Sequence, residues 1–314
     1  MQEPIFLQPV LKERIWGGTR LKTFGYDLPS NRTGECWGHA AHPHGTSRIK
    51  NGRYAGYDLS ELWEHHRELF GQAQGKDFPL LTKILDAHQD LSIQVHPDNA
   101  YAQEIENEPF GKTECWYILD CDPEAEIVYG HTAHSKEEFA QKVRQQEWDH
   151  LFQRRPIQSG DFFYVPSGTI HALCKGTLVL EIQQNSDLTY RIYDYDRVDQ
   201  NGKKRALHID KALEVTNFPH HDPSITPTTR VEQATTITTF LENSFFTVQK
   251  WETNGRSSLV QTQNFLLVNV IEGQGRLETN DEIYSFHKGD HFILPHGLEH
   301  FQIQGKTEWM VSYV

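Results

Sequence analysis

A pattern that occurs twice constrains this chain more than any other feature of it. Gly160-Asp161-Phe162-Phe163-Tyr164-Val165-Pro166-Ser167-Gly168-Thr169-Ile170-His171 and Gly289-Asp290-His291-Phe292-Ile293-Leu294-Pro295-His296-Gly297-Leu298-Glu299-His300 both read G-x5-P-x-G-x2-H, without a gap. Each copy spells a turn, a short apolar strand, a Pro/Gly turn and a histidine that opens the next strand. A fold using this unit is built from short strands joined tightly, as a β-sandwich or barrel. Two copies in 314 residues imply two such units.

Strand signals fill much of the remaining sequence. Leu91–His96, Cys115–Leu119, Glu126–Gly130 and Thr177–Gln184 have strand length and composition, and Gly, Pro, Asn or Asp punctuates most of them. Phe265–Ile271, Gly275–Glu278, Phe292–Leu294 and Trp309–Tyr313 follow near the end. Two helices are expected. Asp58 with Glu61, and Ser135 with Glu138, have capping-box spacing. Leu62, Trp63, His66 and Leu69, then Phe139 and Val143, follow with helical periodicity. His220–Pro227 reads as a linker, which puts residues 1–225 in a first domain with the N-terminal helices and strands and residues 226–314 in a second. The expected class is mainly β, two barrels with a few helices packed on the N-terminal half.

Acidic residues outnumber basic ones by 43 to 30, which argues against a nucleic-acid surface or a polybasic membrane patch. With 17 Phe, 12 Tyr and 7 Trp the chain can fill a large core. No stretch approaches the roughly 18–20 apolar residues that span a bilayer. The N-terminus lacks the basic start and apolar run of a signal peptide, so a cytoplasmic protein is expected. Cys36, Cys115, Cys121 and Cys174 read as buried free thiols.

The chemistry is concentrated around the first copy of the repeat. Gln94 and His96 lie two apart on a strand and so share a face. Glu114 begins the next strand, and His171 comes from the repeat. Two imidazoles, a carboxylate and an amide oxygen suit a divalent ion with an open position, whereas the plainer alternative is a pair of locally bonded strand histidines. In the second copy His300 has no histidine pair on its expected partner strand, Ile271–Gly275, so the second barrel is expected to be metal-free.

Both repeat copies resemble the second half-motif of the cupin superfamily, a jelly-roll barrel. Gln94-Val95-His96-Pro97-Asp98, Gly111-Lys112-Thr113-Glu114, Tyr164–Leu173 and Gln184–Arg191 resemble type I mannose-6-phosphate isomerases, as does Ile15-Trp16-Gly17-Gly18. The likeness covers nearly the whole chain and is to the short bacterial form. It implies interconversion of mannose 6-phosphate and fructose 6-phosphate through an enediolate, with one Zn²⁺ per chain on His96, Glu114, His171 and Gln94. It also implies Arg191 as an active-site arginine, and Lys112 and Asp187 as proton-transfer or substrate-binding groups. Thr113 departs from the proline common in longer relatives. Zinc would polarise the sugar oxygens, and Arg191 would stabilise their charge or grip the phosphate. Lys112 reads either as a base with a depressed pKa or as a phosphate anchor; Asp187 reads as a base or as the partner that orients Arg191.

Other features have plainer readings. Lys203-Lys204-Arg205 reads as a solvated turn, with phosphate contact the alternative, and His220-His221 reads as solvated. Tyr190, Tyr193 and Tyr195 either wall the pocket or fill the barrel. The expected partner is a phosphorylated hexose, on a monomer or weak homo-oligomer. The competing functions are a free-sugar isomerase, an Fe(II) cupin oxygenase, and a non-enzymatic sugar-binding cupin.

Overall fold

Four glycines explain why the repeat recurs. In the computed structural model, which describes residues 3–198, 202–279 and 282–314, Gly160 (φ 95), Gly168 (φ 83), Gly289 (φ 92) and Gly297 (φ 85) all take left-handed backbone. Only glycine adopts that region without steric cost. They bracket the strands Phe162–Val165 and His291–Leu294. The next strands open at the repeat histidines, as His171–Leu173 and His300–Tyr313.

The first half is a two-sheet barrel. One sheet runs Phe162–Val165, Glu114–Cys121, Thr177–Gln184, Leu80–Ala87, Thr33–His39, Val10–Gly18; the other runs Phe152–Pro156, Glu126–His131, His171–Leu173, Ile93–Val95, Tyr190–Tyr193. Side chains alternate across each strand. In Thr177–Gln184, Val179 joins the packing between the two sheets, with Leu85, Trp116, Ile127 and Leu173. Leu178, Leu180 and Ile182 face the other way, where Trp63, Phe70, Phe265, Leu267 and Met310 cover them. The six-stranded sheet is therefore buried on both faces, which is why Thr177–Gln184 and Leu80–Ala87 are buried at every position. The helices Lys136–Gln145 and Ile209–Val215 seal the outer face of the five-stranded sheet.

The second half is one large sheet, and its barrel is filled with side chains. Trp251, Phe286, Phe292, Phe301, Trp309, Leu277 and Ile303 form a single cluster, with Trp309 edge-on to both Phe286 and Phe292. The late strand signals merge into longer elements, Leu266–Glu278 and His300–Tyr313. The N-terminal strand Ile5–Gln8 crosses over to pair with His291–Leu294, placing Ile5 opposite Ile293.

Several local expectations need revision. The first helix, Leu59–His65, stops before His66, because the chain continues as a tighter turn over Arg67–Phe70 that ends at Gly71 (φ 62). His220 is not solvated: its side chain is 5% exposed, edge-on to Tyr129 and 2.9 Å from Asp222. Tyr190 and Tyr193 pack on the helical side of their sheet. All four cysteines are free thiols, and Cys121 is only partly buried. Among the described residues no helix is long and apolar enough to cross a membrane.

The repeat glycines give a comparative test. Gly160→Ala meets open space and carries only the left-handed penalty, about 1–2 kcal/mol. Gly289→Ala carries the same penalty and also drives its Cβ into the Phe24 carbonyl, adding about 1–3 kcal/mol. Urea denaturation of the two variants should rank Gly289→Ala well below Gly160→Ala.

Candidate active site

The site is assembled from rows of neighbouring strands. Gln94 lies opposite His171 on one side and Arg191 on the other, so the three side chains form a line across the five-stranded sheet. His96 follows two residues beyond Gln94 and keeps its face. Across the barrel Glu114 opens its strand opposite Gln183. A second row on that sheet runs Trp116, Glu181, Lys83, Trp37 in register.

His96, Glu114 and His171 converge and are essentially without solvent access. His96 Nδ1 donates to the Leu188 carbonyl at 2.6 Å, and His171 Nδ1 donates to the Thr169 carbonyl at 2.8 Å. Those carbonyls can only accept, so each ring proton sits on Nδ1 and each Nε2 presents a lone pair. The two Nε2 atoms face each other at 3.1 Å. Glu114 Oε1 lies 3.3 Å from His171 Nε2 and has no hydrogen-bond partner. Burial, reinforced by the Lys112 charge, holds His96 well below its ordinary pKa and brings His171 down to about 4, so both rings are neutral. Converging neutral imidazoles and an unpartnered buried carboxylate oxygen are what a divalent cation requires, and the backbone carbonyls supply the supporting contacts such ligands use. Gln94 turns its amide nitrogen to His171 Nε2 at 3.4 Å and its oxygen to Ser92 Oγ at 3.3 Å.

Lys112 stands beside this nest as a cation. It donates to His96 Nε2 at 3.0 Å and to Glu114 Oε2. Burial pulls its pKa down, but the charges of Glu114 and Glu181 outweigh burial and hold it above the ordinary lysine value. Lys83 bonds Glu181 at 3.1 Å and Gln183 at 2.6 Å, and burial of Glu181 is overcome by Lys112 and Lys83, which keep it ionised.

A cavity of about 340 Å³ opens over these groups, and Lys112, Gln94, Glu181, Asp187, Arg191 and Arg205 reach it. Asp187 is not the partner of Arg191. It accepts from His44 Nδ1 at 2.7 Å and lies 3.9 Å from His42 Nε2, both in the turn region between the short strands Ala41–His42 and Gly45–Thr46. Burial would raise its pKa, but the His44 and His42 contacts outweigh burial and lower it. Arg191 is half-buried and its Nε has no partner. Arg205 lines the cavity, so the basic run at 203–205 is not simply a solvated turn. His300, the second copy's counterpart of His171, is exposed.

Sequence reasoning missed Glu181 and Lys83, and reached Arg205 only within the 203–205 run, with phosphate contact as the alternative reading. For the first two a signal existed, because Glu181 and Lys83 interrupt otherwise apolar strands on the inward face.

Fold and donor set together define the class: an enzyme of the cupin type with a metal-competent first barrel. Residues 5–143 match the family model described as phosphomannose isomerase type I, catalytic domain, and residues 236–314 match mannose-6-phosphate isomerase, cupin domain. Mannose-6-phosphate isomerase ManA of Bacillus subtilis (strain 168) is 54% identical over 320 residues, covering 99% of each chain. The mannose-6-phosphate isomerase of Streptococcus mutans is 51% identical over 314 residues, covering 100% of this chain and 99% of that one. The crystal structure of the Bacillus subtilis mannose 6-phosphate isomerase matches with a TM-score of 0.98 at 53% identity, with full coverage of both chains. The chain belongs to the type I phosphomannose isomerase family.

The buried charge row can be tested directly. Lys83→Met leaves Glu181 without its 3.1 Å partner in a site where both side chains are under one-tenth exposed, and should cost about 3–5 kcal/mol. Adding Glu181→Gln should recover part of that loss, a coupling that urea denaturation of the single and double variants measures.

Proposed function

We propose that this protein interconverts D-mannose 6-phosphate and D-fructose 6-phosphate, using one zinc ion held by His96, Glu114 and His171 with Gln94 as a further donor. The observation that carries the reading is the pair of Nε2 lone pairs 3.1 Å apart, buried with Glu114 beside a cavity lined by Gln94, Lys112, Asp187 and Arg191. The family's full-length relatives, named as mannose-6-phosphate isomerases, support the substrate. Zinc suits two imidazoles and a carboxylate, and when bound it supplies Lewis acidity to the sugar oxygens without redox chemistry.

The reaction moves one proton between C2 and C1, and the intermediate enediolate carries negative charge on the sugar oxygens. Asp187 faces the cavity as an ionised carboxylate with no lysine or arginine ion pair among the described residues, so it accepts the proton from one carbon and returns it to the other. Lys112, held cationic, donates hydrogen bonds to the developing oxyanion. Arg191 projects beside Gln94, where its unpartnered guanidinium opposes the same charge. The fixed cations are in place before reaction, so little reorganisation is needed as charge develops. We place the enzyme in the cytoplasm as a monomer or weak homo-oligomer.

Elemental analysis should find one zinc per chain, removed by His171→Ala and retained in His300→Ala. Chelation should abolish mannose 6-phosphate turnover and zinc should restore it, whereas activity that survives metal removal contradicts the reading. Asp187→Asn should lower kcat by about 10²–10⁴, the usual contribution of general acid–base catalysis, while leaving zinc content unchanged. His44 stabilises the charged form of Asp187. Removing it in His44→Ala raises the Asp187 pKa, so the acid limb of the kcat/KM profile should move to higher pH.

A further inference from the structure

Positive charge gathers at one end of the cavity, where Arg191 and Arg205 both line it. Arg205 reaches the cavity from the segment after the active-site strand. Its guanidinium is clamped by Asp194 through Nε to Oδ2 at 2.8 Å and Nη2 to Oδ1 at 2.6 Å. Asp194 is 5% exposed, and its Oδ1 also accepts from Arg197 Nη2 at 2.5 Å. Both carboxylate oxygens are thus committed. The clamp uses the inner edge of the Arg205 fork and leaves Nη1 free of any protein acceptor among the described residues.

Arg191 stands next to Arg205, and the two cations oppose each other's charge. Arg191 Nε is buried without a partner, and no carboxylate is ion-paired to Arg191 among the described residues. Arg205 and Arg197 therefore share one aspartate while Arg191 beside them has no ion-paired carboxylate among the described residues, so positive charge exceeds negative in this half-buried place. Like charges brought together without a counterion are costly in low dielectric, so the arrangement lacks an anion. A phosphate monoester, with about −1.5 to −2 charge at neutral pH, is an anion of the kind this place lacks.

We propose that Arg205, positioned by Asp194, binds the 6-phosphate of the sugar, while Arg191 serves the reacting end. The proposal rests on the phosphorylated hexose reading given above and assigns the anion a separate residue. A guanidinium whose orientation is fixed in advance loses little freedom on binding and matches phosphate oxygens in its plane, which a lysine cannot do. Asp194 acts through Arg205 and is a positioning residue.

The experiment compares Arg205→Ala, Arg205→Lys and Asp194→Asn with the wild-type holoenzyme on mannose 6-phosphate and free mannose, with inorganic phosphate as competitive inhibitor. In Arg205→Ala the KM for mannose 6-phosphate and the Ki of inorganic phosphate should both rise about 10–100-fold, the loss expected for one or two charge-assisted hydrogen bonds. That penalty should exceed the penalty on free mannose by at least about tenfold. Arg205→Lys should restore only part of the phosphate affinity, and Asp194→Asn should raise KM more than it lowers kcat. An equal loss on both sugars, or an unchanged Ki for phosphate, overturns the proposal. Wild-type enzyme that binds phosphate through Arg205 yet fails to isomerise mannose 6-phosphate overturns the assigned reaction and leaves the anion site standing. If the variants do not fold, phenylglyoxal labelling of the wild-type enzyme, mapped by mass spectrometry, decides the question: inorganic phosphate should protect Arg205, and no protection refutes the assignment.

Discussion

Everything in the first barrel is organised around two nitrogen lone pairs that ought to repel. His96 and His171 each give their ring proton to a backbone carbonyl, which leaves Nε2 facing Nε2 at 3.1 Å with a carboxylate oxygen alongside. Nothing but a positive charge makes that arrangement favourable in a place closed to water. The protein supplies one such charge in Lys112, and the geometry accommodates a divalent ion at the same atoms. Because the carbonyls that orient the rings belong to Thr169 and Leu188, the metal-competent form of each histidine is set by backbone and not by a mobile side chain.

The sheet register keeps this nest electrically balanced. Glu114 and Glu181 are both buried, and Lys112 and Lys83 are buried with them. Trp116 Nε1 adds a bond to Glu181 at 3.2 Å, and Trp37, stacked under Lys83, is bonded to Glu35 at 2.7 Å. The six-stranded sheet can hold such a polar row because its other face is packed against the second half. The second barrel, solid with aromatic side chains, serves as the wall that makes the first one rigid.

The donor residues were legible in the sequence because their placement depends on local rules. Gln94 and His96 share a face by strand periodicity, and His171 sits at a fixed offset from two glycines that the turn geometry demands. What could not be read were partnerships set by register between distant strands. Lys83 and Glu181 are 98 residues apart, and His44 and Asp187 are 143 apart. Of the two sequence readings of Asp187, base or orienting partner of Arg191, the second does not hold, because a hairpin from the N-terminal region reaches it first. Arg205 was obscured by Lys203 and Lys204, whose company made the run look like ordinary surface charge.

The strand Ile5–Gln8 has a consequence for how the molecule is made. Its partner, His291–Leu294, is synthesised almost a full chain length later. The second barrel gains that edge only when the two distant segments meet. Long-range pairing of this kind slows the final closure and couples it to completion of both halves. A fragment carrying only the second half would expose the backbone of His291–Leu294 on the side that Ile5–Gln8 covers, a ready template for pairing with other chains. Closing that edge therefore makes the second sheet depend on a strand that lies far away in sequence, so the two halves share one backbone seam.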